Sequence, residues 1–371
     1  MNTLRPTPFL FLISLLIACQ PDPGQTPKAE ETTPLVIAYY AGAPIDANAY
    51  EIGALDQIIH SFCHLQGNRL TIDSAEDTTG IRQLVELKKT HPRLKVLLSL
   101  GGWGGCETCS DVFATESGRA EFASSVKELS ASFNTDGLDL DWEYPAIAGY
   151  PGHTFVPEDK HNFTLLVKAL RDSLGPDFII SFAAGGFEKF LAESVEWDAV
   201  MPLVNNVNLM TYDLVSGASP VTGHHTPLYQ TEKQINATDR AVRYLDSLGV
   251  PKSKMVIGAA FYARVWENVA PEENGRYQSG KFLRSVRYNQ LDNFMAEHPG
   301  FELHWDSVAH APYAYNSAEM LYATFDDPRS IAEKTEYVAS QKLGGIMFWQ
   351  LTGDKHPDGL VHTIYTTLHP Q

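Results

Sequence analysis

Beyond residue 34 the chain alternates between short apolar runs and longer stretches in which apolar residues recur every three to four positions. The short runs are LVIAYYA (35–41), IIHSFCHL (58–65), LKVLLSL (94–100), GLDLDW (137–142), FIISFAA (178–184), VNLMTY (207–212), MVIGAAFYA (255–263) and GGIMFW (344–349). Each has the length and apolar character of a buried strand. Helical spacing marks 114–133, 158–174, 230–248 and 328–342. Strands separated by helical returns pair in parallel, because parallel neighbours need long crossovers. Eight such strands favour a closed (β/α)8 TIM barrel over a doubly wound open sheet. A barrel of this kind gathers its chemistry at the C-terminal ends of the strands.

One interval breaks the rhythm. About 65 residues separate strand seven from the helix at 328–342, far more than a barrel loop holds. Residues 267–324 contain a helix-like NQLDNFMAEH and strand-like HWD and YAY pieces. They read as an inserted α+β subdomain beside the cleft, with 35–266 and 325–371 forming the barrel.

The N-terminus reads as an address. Arg5 precedes a run from Phe9 to Ala18 that is apolar apart from Ser14 and too short to span a bilayer. It ends Leu16-Ile17-Ala18-Cys19, which resembles a bacterial lipoprotein signal. On that pattern residues 1–18 are removed and Cys19 is lipidated, giving an exported protein of the cell envelope that meets the membrane through its lipid. An ordinary secretory peptide with an incidental Cys is the competing reading. Residues 20–34, QPDPGQTPKAEETTP, bury almost nothing and read as a flexible tether.

Export sets an oxidising context. Cys106-Glu-Thr-Cys109 lies in a Gly-rich loop without further Cys or His at zinc spacing, and without the setting of a thioredoxin-like helix. A local disulfide is therefore expected, with Cys63 as a free buried thiol. The charge balance, 28 basic against 45 acidic residues for a net −17, argues against a nucleic-acid surface. His224-His225 lack a completing carboxylate, and GGWGG (101–105) lacks the Lys-Ser/Thr of a phosphate loop. No metal and no cofactor are expected.

The chemistry concentrates in Asp136-Gly-Leu-Asp139-Leu-Asp141-Trp-Glu143-Tyr-Pro145. Residues two apart on a strand share a face, so Asp139, Asp141 and Glu143 project together while Leu138, Leu140 and Trp142 pack opposite. Burying three carboxylates side by side costs several kcal/mol unless they share protons and hydrogen bonds. Acid catalysis gives a reason for that expense. A calcium loop needs a turning Gly and polar interleaving, and here Leu, Leu and Trp intervene. Asp136 is expected to brace the loop below.

This segment resembles the Asp-x-x-Asp-x-Asp-x-Glu signature of family 18 glycoside hydrolases, the chitinase family. Ser99-Leu-Gly-Gly-Trp103, Met210-Thr-Tyr212-Asp213, Phe261-Tyr262-Ala-Arg264 and Trp349 are similar to its motifs at strands three, six, seven and eight. The resemblance spans nearly all of 35–370 and implies a retaining, substrate-assisted chitinase. Glu143 would be the acid/base and Asp141 would orient the sugar's acetamido group. Asp139 would share a proton with Asp141, backed by Tyr39 and Ser99. Tyr212 would donate its hydroxyl to the acetamido oxygen, Asp213 would hold the distorted sugar, and Trp349 would floor the reactive subsite. Tyr39 and Ser99 are counted in the expected substrate-binding set as well, which Phe62, Trp103, Tyr144, Met210, Tyr262 and Arg264 complete. Plainer readings stand beside these: Tyr39 as barrel filling, Met210 as packing, Trp103 as loop packing, Arg264 as a salt-bridge partner. The implied partner is chitin or its oligosaccharides, met by a monomer. The rivals are an endo-β-N-acetylglucosaminidase acting on glycoprotein or peptidoglycan glycans, and a non-catalytic chitin lectin, against which the presence of Glu143 speaks.

Overall fold

The computed structural model describes residue 1 and residues 33–370. The signal sequence, Cys19 and nearly all of the tether expected at 20–34 lie outside the described residues.

From Leu35 onward the chain lays down β1 (Leu35–Tyr40), β2 (Gln57–Gln66), β3 (Arg69–Thr71), β4 (Lys95–Gly101), β5 (Gly137–Asp141), β6 (Ile179–Gly185), β7 (Asn206–Met210) and β8 (Met255–Ala260). Then follow β9 (Tyr262–Glu267), β10 (Lys281–Arg287), β11 (Phe301–Asp306), β12 (Ala311–Asn316), β13 (Leu321–Thr324) and β14 (Gly345–Trp349). One sheet runs β1-β14-β8-β7-β6-β5-β4-β2 in parallel, and a further β1–β2 pairing closes it into a barrel of eight strands. β3 adds an antiparallel hairpin to β2. The link from β1 to β2 carries only short 3₁₀ turns, whereas helices such as 75–86, 116–133 and 159–174 return the chain elsewhere.

Two apolar layers hold the barrel together. Ile37, Tyr39, Ile59, Leu97, Val256 and Met347 fill its interior. A larger layer between the strands and the surrounding helices includes Leu98, Leu138, Leu140, Trp142 and Phe163. Strand alternation thus sends Leu138, Leu140 and Trp142 outward, as the pattern predicts. Polar residues fix the ends of the helices: Ser74 and Thr115 accept from the backbone N–H groups of Asp77 and Gly118. The helix at 328–341 opens with a reciprocal cap between Asp327 and Ser330 and with proline at its first turn.

Two expected boundaries move. The helix expected over 230–248 spans Thr238–Ser247, because Thr231 and Gln234 close a turn and Ala237 is extended. The run 255–263 is two strands. The N–H of Phe261 donates to the carbonyl of Trp349, and Tyr262 then enters a second, antiparallel sheet ordered β10-β9-β13-β12-β11. The inserted subdomain therefore begins at Tyr262 and not at 267. A helix at Tyr288–Glu297 and the side chains of Ala263, Val265, Val286, Leu291, Phe294 and Ala323 give it a core of its own.

Candidate active site

β5 ends where the barrel opens, and Asp139 and Asp141 on it, with Glu143 two residues past its end, sit at different depths. Asp139 is fully buried among four donors: the hydroxyls of Tyr39 (3.0 Å), Ser99 (3.1 Å) and Ser181 (2.6 Å) and the amide of Asn208 (3.1 Å). Both of its oxygens are thereby used. Asp136 lies at the other end of β5, where it accepts from the backbone of Val96 and from Lys88.

Asp141 and Glu143 face a cavity of about 910 Å³. Asp141 is 4% exposed, and its Oδ1 has no hydrogen-bond partner. Burial pushes its carboxyl well above the ordinary range, and the neighbouring charges of Glu143 and Asp139 push the same way. Burial also raises Glu143, to about 7, with a hydrogen bond from Tyr144 opposing and the charge of Asp213 adding. A carboxyl that holds its proton near neutrality beside an unpartnered carboxylate oxygen is suited to proton transfer.

Aromatic rings shape the rest. Phe62 stacks on Trp349 with centroids 5.5 Å apart and an interplanar angle of 16°. Tyr212 meets Tyr262 edge-on at 6.2 Å. Phe62, Tyr144, Met210, Tyr212, Tyr262 and Trp349 all line the cavity. Trp103 lines it too and is 58% exposed, so it is not consumed by loop packing. The loop behind it is cross-linked by a Cys106–Cys109 disulfide, and Cys63 is a free, buried thiol.

Asp213 closes the far side. It follows β7 with a positive φ of 56°, a conformation in which Asp is better tolerated than most residues. Arg264 on β9 holds both of its oxygens, and His225 approaches one of them at 3.6 Å. Burial would raise the Asp213 carboxyl, but His225 and Arg264 outweigh it and hold the group well below the carboxylate range. The structure thus unites the two readings of Arg264, as ion-pair partner and as cavity wall.

Two expected substrate contacts are corrected. Tyr39 is 1% exposed and Ser99 fully buried, and neither lines the cavity. They lie beneath Asp139 as donors to it. Three residues passed over in the sequence belong here: Ser181, Asn208 and His225. Ser181 and Asn208 occupy inward positions of β6 and β7, so the period of two on those strands was the available signal. The insertion contributes Phe282, Ser285, Arg287 and Gln290 to the cavity.

Comparison with known proteins gives a consistent answer. The model of glycosyl hydrolases family 18 matches residues 35–354. Chitinase A1 of Niallia circulans is 34% identical over 303 residues, covering 75% of this chain and 43% of that protein. Chitinase B of Serratia marcescens is 28% identical, covering 76% and 68%. A family 18 N-acetylglucosaminidase from Paenibacillus barengoltzii superposes with a TM-score of 0.81 at 32% identity, covering 90% of this chain and 99% of that one. The chain spans well under two thirds of the Niallia protein's length.

Proposed function

The chain belongs to glycosyl hydrolases family 18, and from that premise we propose that it is a chitinase, hydrolysing β-1,4-linked N-acetylglucosamine polymers with retention of configuration. The observation that carries this is the buried, unpartnered Oδ1 of Asp141 beside a Glu143 carboxyl held at about 7. Glu143 protonates the glycosidic oxygen as the bond breaks and afterwards takes a proton from water. The nucleophile is the substrate's own acetamido oxygen, since no second carboxylate is called on to attack in this class of hydrolase. Asp141 accepts from the acetamido N–H and balances the charge that develops on the ring. Tyr212 donates to the acetamido oxygen, and Trp349, stacked with Phe62, floors the ring. Asp139 does no chemistry in this scheme. Its four donors fix the base of β5, and so fix Asp141.

The likeness to chitinases of Niallia and Serratia supports long polymeric substrates. The Paenibacillus neighbour favours a second reading, in which single N-acetylglucosamine units are released. Product analysis on chitin, chitosan and a high-mannose glycan, side by side, separates these readings from an endo-acting glycoprotein hydrolase. Proton NMR of the first product should show the β-anomer. An initial α-anomer, or rapid cleavage after a glucosamine unit, would overturn the mechanism.

The reading extends to location. With residues 1–18 as a signal and Cys19 lipidated, a tether of some fifteen residues would hold the catalytic barrel at the cell envelope. More than one acyl chain is needed for stable anchoring, which the lipoprotein pattern supplies.

A further inference from the structure

The cavity's aromatic lining does not stop at its mouth. Tyr144, the neighbour of Glu143, lies 6.5 Å from Trp103 between ring centroids. Trp103 meets Tyr150 edge-on at 5.5 Å, and Tyr150 meets His153 at 4.8 Å. Neither Tyr150 nor His153 belongs to the cavity wall. Trp103 and Tyr150 are 58% and 39% exposed, an adjoining pair of large rings left open to water. Contiguous exposed apolar surface of this kind marks a contact site.

Scattered surface aromatics are ordinary; this pair is braced. A Cβ on Gly149 would lie 2.1 Å from the carbonyl oxygen of Glu143, so the loop carrying Tyr150 is seated directly on the backbone of the acid residue. A Cβ on Gly104, whose φ is +88°, would lie 3.1 Å from the Tyr150 ring, so that ring rests on the backbone of the Trp103 loop. Asp159 ties the two loops again, accepting from the Ser110 hydroxyl at 2.8 Å and from the N–H of Val156 at 2.8 Å. Rings already fixed in place lose little entropy on meeting a ligand. The row starts at the residue beside the acid and runs outward from the cavity.

We propose that Tyr150 and His153, with the outer part of Trp103, form a sugar-binding platform outside the cavity that takes an N-acetylglucosamine ring further along the polymer. The proposal rests on the chitinase reading. A pyranose ring has an apolar C–H face and hydroxyls around its edge, and it fits a flat aromatic ring with a polar rim. The platform confers preference for long chains and takes no part in bond cleavage.

The test compares chitohexaose with an activated chitobioside that ends at the cleavage site. Tyr150→Ala should raise KM for chitohexaose about tenfold with kcat within about twofold, and leave the chitobioside within about twofold. Tyr150→Phe should retain the wild-type value. Equal losses on both substrates would assign Tyr150 to folding or to the reactive subsite. No loss on either would leave the row without a ligand. Both results overturn the platform. A wild-type protein that cuts neither substrate would instead bring down the functional reading, and the platform with it.

Discussion

Arg264 grips both oxygens of Asp213, Nε to Oδ1 at 2.7 Å and Nη2 to Oδ2 at 2.5 Å. The pair joins the end of β7 to the first strand of the inserted sheet. An Arg fork fixes a carboxylate in orientation as well as in charge, which an ammonium does not. Arg264→Lys should therefore lower kcat/KM on chito-oligosaccharides about tenfold, a loss of roughly 1.4 kcal/mol. Asp213→Asn should add little on top of it. A double-mutant cycle in kcat/KM checks this, and strict additivity of the two changes would contradict a joint role.

Glu143 gives the pH dependence a definite sign. An acid must carry its proton, so kcat/KM should hold at mildly acidic pH and fall as pH rises through about 7. The limb is shared with Asp141, with which Glu143 titrates as a pair. Glu143→Gln should cost about 10²–10⁴-fold in kcat or more, while oligosaccharide binding by calorimetry survives.

The same group should be visible in stability. Its raised carboxyl makes a contribution that is complete below the unfolded-chain value and lost as pH rises through about 7. Glu143→Gln cannot ionise. The variant should melt a few degrees above wild type at pH 8, with the difference shrinking toward pH 4. A Tm difference that does not change with pH would count against burial as the cause of the shift.

Asn208 is expected to matter although it touches no substrate. Its amide reaches Asp139 at 3.1 Å and Tyr39 at 3.1 Å, and it accepts from Asn206 at 2.7 Å. Asn208→Ala should cost about 1–3 kcal/mol, as expected when buried polar groups lose a partner. A lower urea midpoint with an unchanged slope is the expected result. An unchanged midpoint would mean the network is idle.

Cys19→Ser should move the protein from the membrane fraction to the soluble one after cell lysis. Unchanged partition would show that the run ending Leu16-Ile17-Ala18-Cys19 is an ordinary secretory signal.

The barrel strands and the carboxylate row were legible in the sequence because both follow from alternation. A strand buried on both faces announces itself as an apolar run, and packing alone gives no reason for acids at every second position within it. The Ser181 and Asn208 half of the Asp139 network was not read from the sequence, since both are small polar residues in apolar strands whose partner lies 42 and 69 positions away. Nor was the break at Phe261, because MVIGAAFYA reads as one strand whether or not the chain changes sheets. His225 carried no local signal either; its meaning comes from Asp213, brought to it by folding.

That break at Phe261 bears on how such an enzyme can diversify. Tyr262 and Arg264 sit on β9, the strand of the inserted sheet that pairs with both β10 and β13. Residues at the reacting centre and the scaffold of the groove wall thus belong to one continuous backbone segment. The insertion is no detachable cassette. Grafting a relative's wall onto this barrel would carry that relative's Tyr262 and Arg264 equivalents with it, or else sever β9 from its partners. New chain-length preferences are more accessible through the exposed side chains of Trp103 and Tyr150, which can change without altering the pairing of any strand.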